Sequence, residues 1–453
     1  MRHDMRTATL LSLVFAASAA QAANLFENPD FDDGLTGWSV GTGAIVLDDT
    51  DGLPVSPSLD VASAGSTTGS ALSSCIAVDD SIHYDFRVFA KGNGGITNAG
   101  VFAYSDAACT TMITSVSSEA FRLGTAWFPI RLNDTALPDG TASVSVFLGV
   151  SPGTFDPSGE ALFDHVEFGP TGSLPEGIPL GQEGLTGTWY NSNTSGQGFE
   201  FVIDPGANGG DASLFGAWFT YDTTAGGPDS QRWYSLQATF SPDATSADVT
   251  IYQNIGGNFD APPATSAVAV GSGTLTFVSC STALFTYAID GGTAGDIPLS
   301  ALLPNVECDQ TGTPPPSDYG LSGAWYDPNT SGQGIVAEVN PVDARVFIGW
   351  YTYALSHVGG GDASEQRWLS VQGSYDVGTD SMDLTIYSST NGTFDSGDTV
   401  VSTDPVGLAT LTFLTCSTAT LDYAFTDGEF AGQVDSIELV RLGPALASCP
   451  LDP

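Results

Sequence analysis

A self-match longer than any solenoid period constrains this chain more than any other feature. Gly184-Leu185-Thr186-Gly187-Thr188-Trp189-Tyr190 returns as Gly320-Leu321-Ser322-Gly323-Ala324-Trp325-Tyr326, and Asn193-Thr194-Ser195-Gly196-Gln197-Gly198 returns unchanged at 329–334. Gln231-Arg232-Trp233 matches Gln366-Arg367-Trp368, Thr250-Ile251-Tyr252 matches Thr385-Ile386-Tyr387, and the runs into Cys280 and Cys416 match as well. Two tandem copies of one domain are therefore expected, over 183–308 and 318–453. A Gly/Pro-rich linker (170–182) precedes the first copy, and a Pro-rich linker (309–317, with Pro314-Pro315-Pro316) separates the two. Stiff spacers of this composition hold domains apart, which predicts beads on a string.

Within each copy, short β-favouring runs alternate with Gly, Asn and Asp turns, and no long stretch has helical periodicity. In the first copy the predicted strands are Trp189-Tyr190, Phe199–Ile203, Leu214–Tyr221, Gln231–Phe240, Asp248–Tyr252, Thr274–Cys280 and Ala283–Ile289, with a last one near Ile297. Short connections favour antiparallel neighbours, so each copy should be an antiparallel β-barrel or β-sandwich. The segment Gly184–Tyr190 is similar to the first strand of avidin-like and lipocalin-like barrels.

The repeat also orders the cysteines. Cys280 and Cys308 stand where the second copy has Cys416 and Cys449, which selects the local bridges Cys75–Cys109, Cys280–Cys308 and Cys416–Cys449. No C-x-x-C pair suggests a metal site instead. At the N-terminus, Arg2 and Arg6 precede an apolar run from Ala8 to Ala20 that ends in Ala20-Gln21-Ala22. This pattern predicts a signal peptide over 1–22 and a mature chain from Ala23. The protein is thus expected to be secreted, extracellular or periplasmic, and not membrane-embedded, in a compartment that permits disulfides.

Acidic residues number 52 against 10 basic ones, and Lys91 is the only lysine. Nucleic acid and anionic lipid are excluded as expected partners, because no basic stripe is available for phosphate.

The N-terminal region, 23–169, carries Asn24-Leu25-Phe26-Glu27-Asn28-Pro29-Asp30-Phe31-Asp32 and Gly34-Leu35-Thr36-Gly37-Trp38 at its start, with Phe163-Asp164-His165-Val166-Glu167-Phe168 at its end. These segments resemble the first and last strands of galactose-binding-like carbohydrate-binding modules. The stretches around Cys75 and Cys109 resemble the bridged strands of secreted bacterial members. The resemblance implies a β jelly-roll sandwich and, at Asp32 and Asp164, a structural calcium set against the alternative that both are ordinary exposed or hydrogen-bonded acids. No cofactor is required. The overall fold class is all-β: an N-terminal β jelly roll followed by two tandem antiparallel β domains.

Sugars are bound by aromatic faces together with amides, carboxylates and Arg. The aromatic candidates in the N-terminal domain are Trp38, Tyr104, Trp127 and Phe147. In the repeats, period-2 alternation puts Gln231, Trp233, Ser235 and Gln237 on one face, and the second copy keeps them as Gln366, Trp368, Ser370 and Gln372. With Gln197 and Trp218, or Gln333 and Trp350, this face can line a ligand pocket, or it can be a buried polar network that fixes strand register.

Support for catalysis is poor. There is no G-x-S-x-G elbow or H-E-x-x-H helix. Glu200 lies two residues after Gly198 whereas Glu338 lies four after Gly334, so the pair of carboxylates a glycosidase needs is not evident. The clearest acids shared by the copies are Asp260 and Asp395. The reading is a secreted non-catalytic protein that binds polysaccharide or surface glycan, or mediates adhesion. The alternatives are a structural envelope or matrix protein and an extracellular polysaccharide hydrolase.

Overall fold

A computed structural model describes residues 24–451 apart from 27, 47–56, 64–66, 94, 119, 121, 125–126, 153–158, 175–176, 195, 207–209, 307, 309–316, 356–361 and 447. The predicted signal peptide, and all of the Pro-rich linker except Ser317, lie outside the described residues.

The described chain is all-β, with only short 3₁₀ turns between strands. In the N-terminal domain one sheet runs in the order Trp38–Val40, Gly69–Ser73, Ser143–Ser151, Ile96–Tyr104, Met112–Ser117, with Ile76-Ala77 also pairing to Ser143–Ser151. The second runs Gly43–Val46, Ser58–Ala62, Glu160–Pro170, His83–Asn93, Phe128–Ala136. Their inner faces close on a core that includes Leu59, Val61, Phe86, Val101, Val146, Leu148 and Phe163. This is the jelly-roll-like sandwich expected, its alternating apolar residues turned inward.

Each repeat is a closed eight-stranded barrel whose strands follow in chain order. In the first, Thr293–Ala301 returns to Gly187–Tyr190 through Trp189↔Ala301 and Tyr190↔Ser300. In the second, Val434–Leu442 returns to Gly323–Tyr326 through Trp325↔Arg441 and Tyr326↔Val440. Closure removes the free edges that a sandwich would leave. The predicted strands appear with small changes at their ends, the largest being an earlier start of the sixth at Val268.

The three predicted disulfides are present and use all six cysteines, with Cα–Cα distances of 5.8, 5.3 and 6.1 Å in chain order. Among the described residues no helix is long and apolar enough to cross a membrane.

The beads-on-a-string expectation does not hold. Leu180, inside the predicted first linker, is buried in the core of the first barrel, and the Leu180 amide donates to Ala244 O at 2.8 Å. Val278 of that barrel packs with Phe89 and Trp127 of the jelly roll. The two barrels share a separate apolar cluster that includes Phe219, Tyr221 and Trp233 from the first and Val336, Tyr351, Tyr353 and Trp368 from the second. This contact explains why Ala212–Tyr221 is buried along most of its length rather than at alternate residues: one face meets the barrel core and the other meets the second barrel.

Candidate ligand-binding site

The polar-plus-Trp face kept between the repeats lies in the barrel–barrel contact. Trp233 is 1% exposed and Trp368 5%. The Trp233 indole donates to Thr352 O at 3.0 Å, and that of Trp368 to Thr220 O at 2.9 Å. Gln231 Nε2 donates to Trp368 O and Ser389 O, both at 2.9 Å, while Gln366 Nε2 donates to Trp233 O at 2.9 Å and Asn254 O at 3.0 Å. Each glutamine thus satisfies two backbone carbonyls of the opposite barrel, as a buried amide must. Of the two sequence alternatives, the buried polar network describes Gln231, Trp233, Gln366 and Trp368.

Trp218 and Trp350 stand elsewhere. Register opposes Trp218 to Tyr234 and Phe219 to Trp233, so Trp218 points into the barrel while Trp233 points out of it. Trp350 likewise lies in the second barrel's core.

Gln197 and Gln333 each hold a loop of the other repeat. Gln197 Nε2 donates to Thr393 O at 3.1 Å and Ser396 O at 3.3 Å, and its Oε1 accepts from Asp395 N at 3.2 Å and Thr220 Oγ1 at 2.7 Å. Gln333 repeats this with Asn258 O at 2.9 Å, Asp260 N at 3.2 Å and Thr352 Oγ1 at 2.7 Å. Beside each glutamine a phenylalanine enters the opposite barrel. Phe394 meets Trp218 at 5.3 Å and Tyr287 at 5.8 Å, and Phe259 meets Trp350 at 5.5 Å and Tyr423 at 5.7 Å. The following aspartates accept from tyrosines of the barrel entered: Asp395 from Tyr287 at 2.9 Å and Asp260 from Tyr423 at 2.8 Å. Burial raises both aspartate pKa values, with the tyrosine hydrogen bond pulling the other way.

This reciprocal plugging explains why the Asn-Thr-Ser-Gly-Gln-Gly segment is unchanged. Its glutamine clamps the plug, and its first glycine, at φ +87° (Gly196) or +100° (Gly332), presents a carbonyl to Tyr221 or Tyr353.

Glu200 and Glu338, which do not correspond by repeat position, meet across the same contact. Glu200 accepts from Gly349 N at 2.9 Å, and Glu338 accepts from Thr188 N at 2.7 Å, each from the opposite barrel. Both are buried. Burial pushes Glu200 well above the ordinary carboxylate range, with repulsion from Glu338 adding to the rise, and burial brings Glu338 to about 7.

Gln237 and Gln372 fall outside the buried contact: Gln237 is exposed and Gln372 half-buried.

In the jelly roll, Trp38 lies in the core and Trp127 is buried with Lys91 over its ring at 4.9 Å. Tyr104 and Phe147 alternate with the core residues Ala99, Val101, Ala103, Val144, Val146 and Leu148, and so lie on the outer face of their sheet. Phe102, a residue that sequence reasoning did not single out, stacks on Phe147 at 4.6 Å. Cross-strand rows place Ser145 and Ser115 on either side of Phe102, and Gly100 beside Phe147.

At the proposed calcium position Asp32 is exposed, whereas Asp164 is buried and accepts from His165 N at 2.8 Å. Next to it Asp30 bonds His165 Nδ1 at 2.8 Å, and Glu167 bonds Arg87 Nε at 2.5 Å. Among the described residues no group of three or more His, Cys, Asp or Glu side chains gathers as a metal site.

No family model and no curated protein matches the chain. Among solved structures, it is similar to the enzymatically active domain of bacteriophage CBA120 tailspike protein 4, at 14% identity and a TM-score of 0.28, covering 33% of this chain and 21% of that one. It is similar to a CBM61 module in complex with β-1,4-galactotriose, at 14% identity and a TM-score of 0.25 over 32% of this chain and 98% of that one. It is also similar to a CBM4 module, at 16% identity and a TM-score of 0.23 over 31% of this chain and 99% of that one.

Proposed function

We propose that the chain is a secreted, non-catalytic carbohydrate-binding protein whose jelly roll meets its ligand on the outer face of the sheet containing Ile96–Tyr104 and Ser143–Ser151. The observation that carries this reading is the half-buried Phe102 ring, backed by its stack on the buried Phe147, with half-buried Tyr104 on the same face and the exposed Ser115 hydroxyl flanking Phe102. An aromatic surface of this kind covers the C–H side of a pyranose while hydroxyls address its oxygens. The opposite sheet is occupied at Phe89, where the first barrel packs. Export fits both the signal-like N-terminus and the three disulfides. The excess of acids over bases favours a neutral partner over an anionic one.

Co-sedimentation of the mature chain with insoluble cellulose, xylan, chitin and galactan, with and without EDTA, tests the reading. Retention on at least one polymer, lost in Phe102→Ala/Tyr104→Ala and unchanged by EDTA, is the expected result. A wild-type chain that stays in the supernatant with every polymer, and binds nothing on a glycan array, contradicts it.

A further inference from the structure

Once the barrel contact has explained the retention of Gln231, Trp233 and their counterparts, and has Phe215 packed against its edge, one matched set remains whose central glutamine packing does not explain. Register places Phe215, Gln237 and Thr250 in one cross-strand row on the first barrel, and Phe347, Gln372 and Thr385 in the same row on the second. The rings are half-buried, as are both threonines. Positions beside this row have changed freely: Ser213 corresponds to Arg345, and Ser272, opposite Thr250, corresponds to Leu408, opposite Thr385.

Each row contributes its phenylalanine and glutamine to a groove between the barrels, and the two grooves share the matched Phe, Gln and Leu positions while the rest of their linings differ. One, of about 580 Å³, is lined by Phe215, Gln237, Thr250 and Tyr252, with Leu442 from the end of the second barrel's last strand on the far side. The other, of about 290 Å³, is lined by Phe347 and Gln372, with Leu302 and Tyr190 of the first barrel opposite. Leu302 immediately follows its barrel's last strand, as Leu442 ends the other, and the two are 37% and 41% exposed. Among the described residues no Lys, Arg or His lines either groove.

We infer that these two grooves are a pair of binding sites for neutral oligosaccharide segments, additional to the jelly-roll face and resting on the carbohydrate reading proposed above. The chemistry is a ring for the apolar face of a sugar, an amide able both to donate to and to accept from neighbouring hydroxyls, and no cation to hold a sulfate or carboxylate. β-Propensity accounts for a phenylalanine or threonine on a strand. It does not account for an unchanged, outward glutamine at the centre of both rows. Two such grooves on one pair of contacting barrels allow one polymer, or two neighbouring chains, to be held with avidity.

Affinity electrophoresis of the full mature chain in gels containing soluble galactan, xylan or mixed-linkage β-glucan tests this. Five chains are compared: wild type, the jelly-roll variant Phe102→Ala/Tyr104→Ala, the groove variant Gln237→Ala/Gln372→Ala, whose substitutions sit at solvent-accessible positions, the two variants combined, and the jelly-roll variant carrying Phe215→Leu/Phe347→Leu. The expected result is that the jelly-roll variant keeps residual retardation on at least one polymer. Adding the groove substitutions should remove it, with an apparent affinity loss of tenfold or more and an unchanged melting temperature. Phe215→Leu/Phe347→Leu, which preserves apolar packing while removing the rings, should weaken the same residual binding. If the jelly-roll variant loses all retardation and the groove variant migrates as wild type, the groove sites are overturned while the jelly-roll reading stands. If wild type is retarded by no polymer, both fall.

Discussion

Gln197 in the first barrel holds the backbone of Asp395 in the second, accepting its amide at 3.2 Å, and Gln333 holds Asp260 in the reverse direction at the same distance. Each repeat therefore supplies both a socket and the plug for its neighbour's socket. The stability of one barrel depends on residues that belong, by sequence, to the other.

Replacement of Phe259 by Ala should destabilise the second barrel although Phe259 lies in the first repeat. The ring sits among Trp350, Tyr423, Phe425 and Phe430, and a cavity of that size costs about 3–5 kcal/mol. Hydrogen exchange on the variant should show lost protection in the strand Thr418–Phe425, which belongs to the second repeat.

Trp233→Ala and Trp368→Ala should each cost about 3–5 kcal/mol by the same cavity argument, with a further penalty for the stranded Thr352 or Thr220 carbonyl. Thermal melts measure this. A melting temperature within experimental error of wild type in both variants would mean that these rings are not buried in solution.

The Glu200–Glu338 contact predicts a pH dependence. Both carboxyls bind protons more tightly folded than unfolded, so the native state holds more protons and stability falls as pH rises from the ordinary carboxylate range through about 7. For Glu338 the loss is on the order of 3 kcal/mol. General repulsion among the acids acts in the same direction, so the control is Glu338→Gln, which keeps an acceptor for Thr188 N. Urea denaturation between pH 5 and pH 8, bracketing the value near 7, should show a shallower decline in the variant than in wild type.

Much of the architecture was legible in the repeat itself. Strand positions followed from short β-favouring runs and turn residues, and the disulfides from matched cysteines. The partner of the retained face was not legible, because alternation shows that Gln231 and Trp233 share a face but not what covers it. Trp218 was grouped with that face because cross-strand register, which opposes it to Tyr234, cannot be read from one strand. The Glu200–Glu338 contact escaped notice because it joins positions that the repeat does not relate. Phe102 carried no repeat signal at all, and only its stacking on Phe147 brings it forward. The Pro-rich spacer suggested separation, yet spacer composition says nothing about affinity between the domains it joins.

The most direct measurement is cleavage of the chain between the barrels. With a protease site placed in the 309–316 segment, the cut protein should elute as one particle under non-denaturing conditions. It should also melt in a single transition for both barrels, and Phe259→Ala/Phe394→Ala should let the two fragments separate. Fragments of the otherwise wild-type protein that separate on cleavage, each melting on its own, would contradict the reciprocal plugging of the two repeats.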